Sequence, residues 1–255
     1  MDKRLVRYLS LIWGLSIAEF KLKYRGSVLG FLWSLLNPLF MLLTLYVVFH
    51  TFMNITIPQY ELYLLLGIIL WTFFVKGTML GLGSIVGRGS MIKKVYFPRE
   101  IIVVSVCLTE LFTTICNLVV FGAILLILNP VVSQTMLFFP FVLLKEFILI
   151  VGMSLALSAL YVYYRDMLQI WEVVVQAGFW LTPIVYNINL VPAAYLWVYM
   201  LNPVAIVIVS SRDLLIYHNI GSISGFFLGF GYYLAILVVG HLIFRHYEPW
   251  FAEEV

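Results

Sequence analysis

Long apolar runs dominate this chain, and its polar residues gather in short clusters between them. About 20 mostly apolar residues carry a helix across a bilayer. Six stretches meet that length: 28–52, 62–85, 100–128, 137–162, 167–186 and 224–245. Pro58, the segment 87–98, Asn129-Pro130 and Arg165-Asp166 divide the first five. The pattern predicts an all-α polytopic membrane protein with six transmembrane helices, forming one domain over 1–255.

Two regions fall outside that scheme. In residues 1–25, Lys3, Arg7, Ser10, Gly14, Lys21 and Arg25 share one narrow helical stripe, with Leu5, Leu9, Ile12, Trp13 and Phe20 around the rest. That distribution predicts an amphipathic helix lying in the cytoplasmic interface; an ordinary basic anchor beside the first span is the alternative. Residues 187–223 are apolar, but Pro192 and Asn202-Pro203 cut them into 193–201 and 204–217. Each piece is too short to cross, which predicts re-entrant or interfacial helices on the outer side between spans five and six. Arg212 and Asp213 are expected to pair near that surface. Were 204–217 to span instead, the C-terminus would move outside.

Composition supports the membrane reading. The chain is 64% hydrophobic and 11% charged, whereas a soluble domain is nearer half apolar and a quarter charged. A net charge of +3 does not argue for nucleic acid as a partner; the placement of the charges says more. Lys3, Arg4, Arg7, Lys21, Lys23 and Arg25 precede the first span, and Arg88, Lys93, Lys94 and Arg99 fill the second loop. Arg165 and Arg245 continue the alternation, while loops 53–61 and 129–136 hold neither Lys nor Arg. The positive-inside rule then places both termini in the cytoplasm. Residues 1–25 lack the compact apolar core and cleavage site of a removable signal.

Polar residues inside the spans are the next signal. Ser27, Gly30, Ser34, Asn37, Met41, Thr44 and Thr51 recur at steps of three and four down one face of the first span, with Val48 filling the gap. Gln169, Glu172, Gln176, Pro183 and Asn187 make a second stripe on the fifth. Such stripes serve either as helix-packing seams or as the lining of a polar path. Phe31, Phe40 and Phe179 lie near them, where a sugar ring could stack, although apolar packing accounts for aromatic residues equally well. Lys76, Glu110 and Lys145-Glu146 also fall within or at the ends of spans, consistent with ion pairing or snorkelling.

Catalytic chemistry is missing. There is no Gly-Lys dipeptide and hence no phosphate-cradling P-loop, and no H-E-x-x-H. His50, His218, His241 and His246 are scattered, and Gly152-Met153-Ser154 lacks the closing glycine of a nucleophile elbow. Cys107 and Cys116 lie nine apart, on roughly opposite helix faces, so neither a mutual disulfide nor a metal site is expected. The chain reads as a non-enzyme, and any uphill transport draws on an ion gradient or another polypeptide. Segment 87–98, basic and aromatic, fits a helix of about two turns that docks in a partner's groove. A basic loop beside anionic lipid fits it as well.

Five segments together resemble a known family. "KLKYRGSVLGFLWSLLNPLF", "GRGSMIKKVYFPRE", "YVYYRDM", "WLTPIVY" and "LNPV" followed by "SSRD" stand in the order found in type-2 ABC exporter permeases. The chain is most similar to the subgroup exporting O-antigen, capsular polysaccharide and teichoic acid. The resemblance covers essentially the whole chain. It implies a homodimer in the bacterial cytoplasmic (inner) membrane, paired with two separate cytoplasmic ATPase subunits that bind ATP and Mg. It implies an undecaprenyl-diphosphate-linked glycan as cargo, and a 87–98 coupling helix touching the ATPase through Arg88, Met91, Lys93, Lys94, Tyr96 and Phe97. The path would run along the first and fifth spans, past Phe31, Ser34, Asn37, Phe40, Thr44, Glu172, Gln176 and Phe179. Lys23, Arg25 and Arg88 at the cytoplasmic mouth would attract the diphosphate. Export of drugs or lipids, or an enzyme acting on lipid-linked sugars, are the alternatives.

Overall fold

The computed structural model describes residues 3–26, 30–94 and 97–254. Ser27 and Tyr96 lie outside the described residues, as do the side chains of Lys3, Arg7, Met91 and Lys94.

Helix α1 (Lys3–Tyr24) stops at Gly26, whose φ of 81° is left-handed, and Gly30 follows with φ 47°. A side chain would strain both positions. Helix α2 begins only at Leu32, runs through Pro38 to Tyr46, and continues as a π-helical turn, Val47–Phe52. Gly30 therefore belongs to a turn, not to the helical stripe expected to include it.

Helix α3 (Tyr60–Gly83) is the hub, packing against α2, α5 (Glu100–Leu128), α6 (Phe139–Tyr163) and two later helices. Helix α4 (Gly89–Lys94) is the short helix in the second loop. After α7 (Met167–Leu181) come α8 (Leu196–Leu201) and α9 (Pro203–Leu215), bent 100° from each other. Helices α10 (Ile223–Leu228), α11 (Phe230–Tyr247) and α12 (Phe251–Glu254) close the chain. Among the described residues, five stretches are long and apolar enough to cross a membrane: Leu32–Phe52, Tyr60–Gly83, Glu100–Leu128, Gln134–Tyr163 and Ser224–Trp250.

The expected fifth span is shorter than 167–186. Thr182 adopts extended backbone (φ −105°, ψ 138°) because Pro183 follows it, and α7 ends after 15 residues. That is about 22 Å against a hydrocarbon core of about 30 Å. Pro183 and Asn187 thus leave the second stripe. Asn202 fixes the α8–α9 bend: its side chain accepts from the Val204 and Ala205 amides and donates to Thr182 Oγ1.

Arg212 does not pair with Asp213. Only 2% exposed, it donates instead to the Tyr63, Pro183 and Ile184 carbonyls. Its guanidinium lies 3.3 Å from the centre of the Tyr63 ring. Lys145 and Glu146 are not a pair either. Lys145 donates to the Phe226 carbonyl at 2.7 Å and sits over the Phe226 ring. Both carboxylate oxygens of the fully buried Glu146 lack a hydrogen-bond partner among the described residues.

Candidate functional site

Helices α2 and α7 flank α3 and leave a groove between them. Its volume is about 460 Å³, with Asn37 and Met41 from α2 on one wall and Gln176, Phe179 and Trp180 from α7 on the other. Trp71, Thr72 and Lys76 of α3 form the floor. The two stripes read from the sequence meet here. Trp71 is held in place by Phe179, edge-on at 6.1 Å, and by Gly178, where a Cβ would come within 3.0 Å of the indole. The groove thus offers amides for hydroxyl groups, aromatic faces for C–H surfaces and one cation.

Not every expected path residue reaches it. Ser34 is buried against α1, its hydroxyl 2.7 Å from Tyr24 Oη, and Phe31 packs edge-on against the Tyr24 ring. Phe40 and Thr44 are exposed along α2, Thr44 bonding its own Phe40 carbonyl. Glu172 is exposed one turn from Gln176. Asn37, Gln176 and Phe179 are the three that line the groove. Trp71 and Thr72 escaped the sequence reading because α3 is apolar almost throughout and has no stripe.

A second cavity, of about 600 Å³, opens where α1, α3, α5 and the 86–88 turn converge. Two ion pairs line it. Lys23 Nζ lies 2.6 Å from Glu110 Oε1, and Arg88 pairs with Glu19. Of the three cations expected to attract a diphosphate, these two are held by carboxylates, while Arg25 is exposed.

Helix α1 is seated by a polar seam. Ser16 donates to the Ser105 carbonyl, Thr109 to the Ser16 carbonyl, and Lys23 reaches Glu110. Tyr8, Ile12, Ser16, Glu19 and Lys23 make this face, opposite the basic stripe seen in the sequence. The contacts advance together along α1 and α5, so the two helices run in the same direction. Where α5 begins, Glu100 accepts from Tyr8 and pairs with Arg245 at 2.9 Å. Burial, and then the neighbouring Glu100 charge, push the Tyr8 phenol up to about 12, so it stays a donor at physiological pH.

The second loop forms a turn at 86–88 and then α4, a shorter helix than 87–98. Lys93 is exposed, Ile92 is buried and Phe97 packs against the core. Helix α4 rests against α12, and Arg99 bonds the Glu248 carbonyl beside it.

The ABC-2 type transporter family matches residues 10–216, most of the chain. The chain belongs to that family. Among curated relatives, an "O-antigen export system permease protein RfbA" of Klebsiella pneumoniae is 30% identical over 238 residues, covering 92% of this chain and 91% of that protein. The RfbA of Myxococcus xanthus, with the same printed name, is 27% identical over 259 residues, covering 99% and 98%. As an ABC-2 family member, the chain is an integral membrane protein and a transmembrane transporter subunit, not an enzyme, and it works with an ATPase partner.

Proposed function

We propose that this chain is the membrane subunit of a bacterial exporter that carries a lipid-linked polysaccharide of the O-antigen kind across the cytoplasmic membrane. The observation that carries the reading is the groove in which the α2 and α7 stripes converge on an aromatic and amide-lined floor. A sugar chain presents hydroxyls and C–H faces, and this lining matches both. The O-antigen export function named for the relatives supports the cargo class.

In this reading two copies face each other across their grooves, and the exposed Phe40, Thr44 and Glu172 contribute to the shared path. The Lys and Arg distribution supports cytoplasmic termini, with α8 and α9 as outer re-entrant helices. Two ATPase subunits bind ATP and Mg and dock against α4, through Lys93 and its neighbours. Their closure shifts α4 as a rigid body. Because Arg88 is paired with Glu19, that shift also moves α1 and the cavity beside Lys23. Arg25 meets the lipid diphosphate first; Lys23 and Arg88 join when their carboxylate pairs open.

Deleting the gene tests this. The polysaccharide should accumulate inside the cell, chemically unchanged, and surface glycan should return with the native gene. Complementation with Asn37→Leu plus Gln176→Leu should restore surface glycan several-fold less well at equal protein level. Unaltered surface glycan in the deletion strain would sink the export reading.

A further inference from the structure

One edge of α3 joins the two cavities. Between Leu62 and Ser84 every residue is buried except Thr72, Val75, Lys76, Met79, Leu80 and Gly83. These recur at steps of three and four, so they form one open strip along an otherwise enclosed helix. Thr72, Val75 and Lys76 line the groove, and Met79, Leu80 and Gly83 line the cytoplasmic cavity. Lys76 stands where one passes into the other, about 10 Å from the cytoplasmic end of α3.

Lys76 differs from the other cations around these cavities. Lys23 and Arg88 have carboxylate partners. Lys76 forms no hydrogen bond or ion pair among the described residues, although Lys23 and Glu110 are within electrostatic reach. A lysine that deep in a membrane protein normally pairs or faces a water-filled cavity. Here it faces a groove with amides and aromatic rings but no acid on its lining.

We propose that Lys76 is the anion-binding residue of the groove, holding the phosphate or diphosphate of a polyprenyl-linked cargo as it leaves the cytoplasmic cavity. The inference rests on the export reading and adds to it a residue and a ligand group. An ammonium in a partly dry site binds phosphate oxygens through charge-assisted hydrogen bonds. The neighbouring Asn37 and Gln176 amides and the Trp71 and Phe179 rings then meet the first sugars. The Lys23–Glu110 pair on the cytoplasmic side keeps a second cation within reach for the handover.

The test uses the full-length chain in phosphatidylcholine nanodiscs and three labelled probes: geranylgeranyl diphosphate, geranylgeranyl monophosphate and geranylgeraniol. Native protein should bind both phosphates more tightly than the alcohol. Lys76→Gln should weaken phosphate binding about tenfold or more, leave alcohol binding unchanged, and be largely rescued by Lys76→Arg. Equal diphosphate binding by native protein and Lys76→Gln overturns the assignment, as does a parallel loss of alcohol binding, which marks a structural role. If native protein binds neither phosphate, the Lys76 assignment fails, while the export reading is decided separately by the surface glycan of the deletion strain. Binding that persists in nanodiscs containing phosphatidylglycerol supports the cargo as occupant. Full displacement there overturns that choice in favour of a bilayer headgroup.

Discussion

Backbone dipoles, rather than a carboxylate, surround the charge of Arg212. Its fork bridges Tyr63 on α3 to the Pro183 and Ile184 carbonyls that α7 leaves unpaired when Pro183 stops it. Gly67 provides the space, since a Cβ there would come within 2.6 Å of Nη2. Gly67→Ala and Arg212→Met should therefore loosen the same joint, each lowering stability by about 1–3 kcal/mol. The unfolding temperature of detergent-solubilised protein reads this, and the double variant should be little worse than the poorer single one. The sequence suggested other pairings here for a simple reason. Arg212-Asp213 and Lys145-Glu146 are adjacent in the chain, and adjacent residues on a helix point about 100° apart. Lys23–Glu110, Arg88–Glu19 and Arg245–Glu100 instead join elements far apart in sequence. Lys23 and Arg88 were visible within basic clusters and Glu110 as a charge inside a span, while Glu19 went unread; which met which depended on the packing.

Spanning helices were the easiest elements to read, because hydrophobic length alone decides them. The third, 100–128, coincides with Glu100–Leu128, and the first, second, fourth and sixth start or end within a few residues of their helices. Helix α7 shows where composition misleads: 167–186 stays apolar past the point where Pro183 breaks the backbone. The α1 seam was hidden too. Its Ser16 and Ile12 are unremarkable in sequence, and only contact with α5 gives them a role. Helices α6 and α11 pack closely enough that a Cβ on Gly240 would overlap the Gly152 carbonyl. Gly240→Ala should push α11 off α6 at a cost of about 1–3 kcal/mol. A lowered unfolding temperature together with faster protease cleavage near the C-terminus would register that separation; unchanged values for both would contradict it.

The largest part of the candidate site, the meeting of two stripes in a groove, was legible as two faces but not as one place. Its floor belongs to α3, whose uniform hydrophobicity conceals its open edge. Motion of the second loop would reach α1 and the cavity beside Lys23 through the Arg88–Glu19 pair. In the complete transporter, Arg88→Glu or Glu19→Arg alone should lower transport per ATP hydrolysed several-fold, and the double reversal should recover most of it. Failure of the double reversal would mean that the pair carries no coupling. The opposite end poses a problem of timing rather than force. Tyr60 and Tyr63 donate to the Val185 and Tyr186 carbonyls, 125 and 123 residues downstream, and Arg212 reaches back 149 residues to Tyr63. A ribosome adding about 5–20 residues per second releases α3 roughly ten seconds before those partners exist. Until then the Tyr60 and Tyr63 hydroxyls are without these acceptors. A copy that terminates before Val185 never satisfies the two phenols, and one that terminates before Arg212 leaves the Pro183 and Ile184 carbonyls without its guanidinium, so a truncated chain keeps polar groups at this end that the full chain closes.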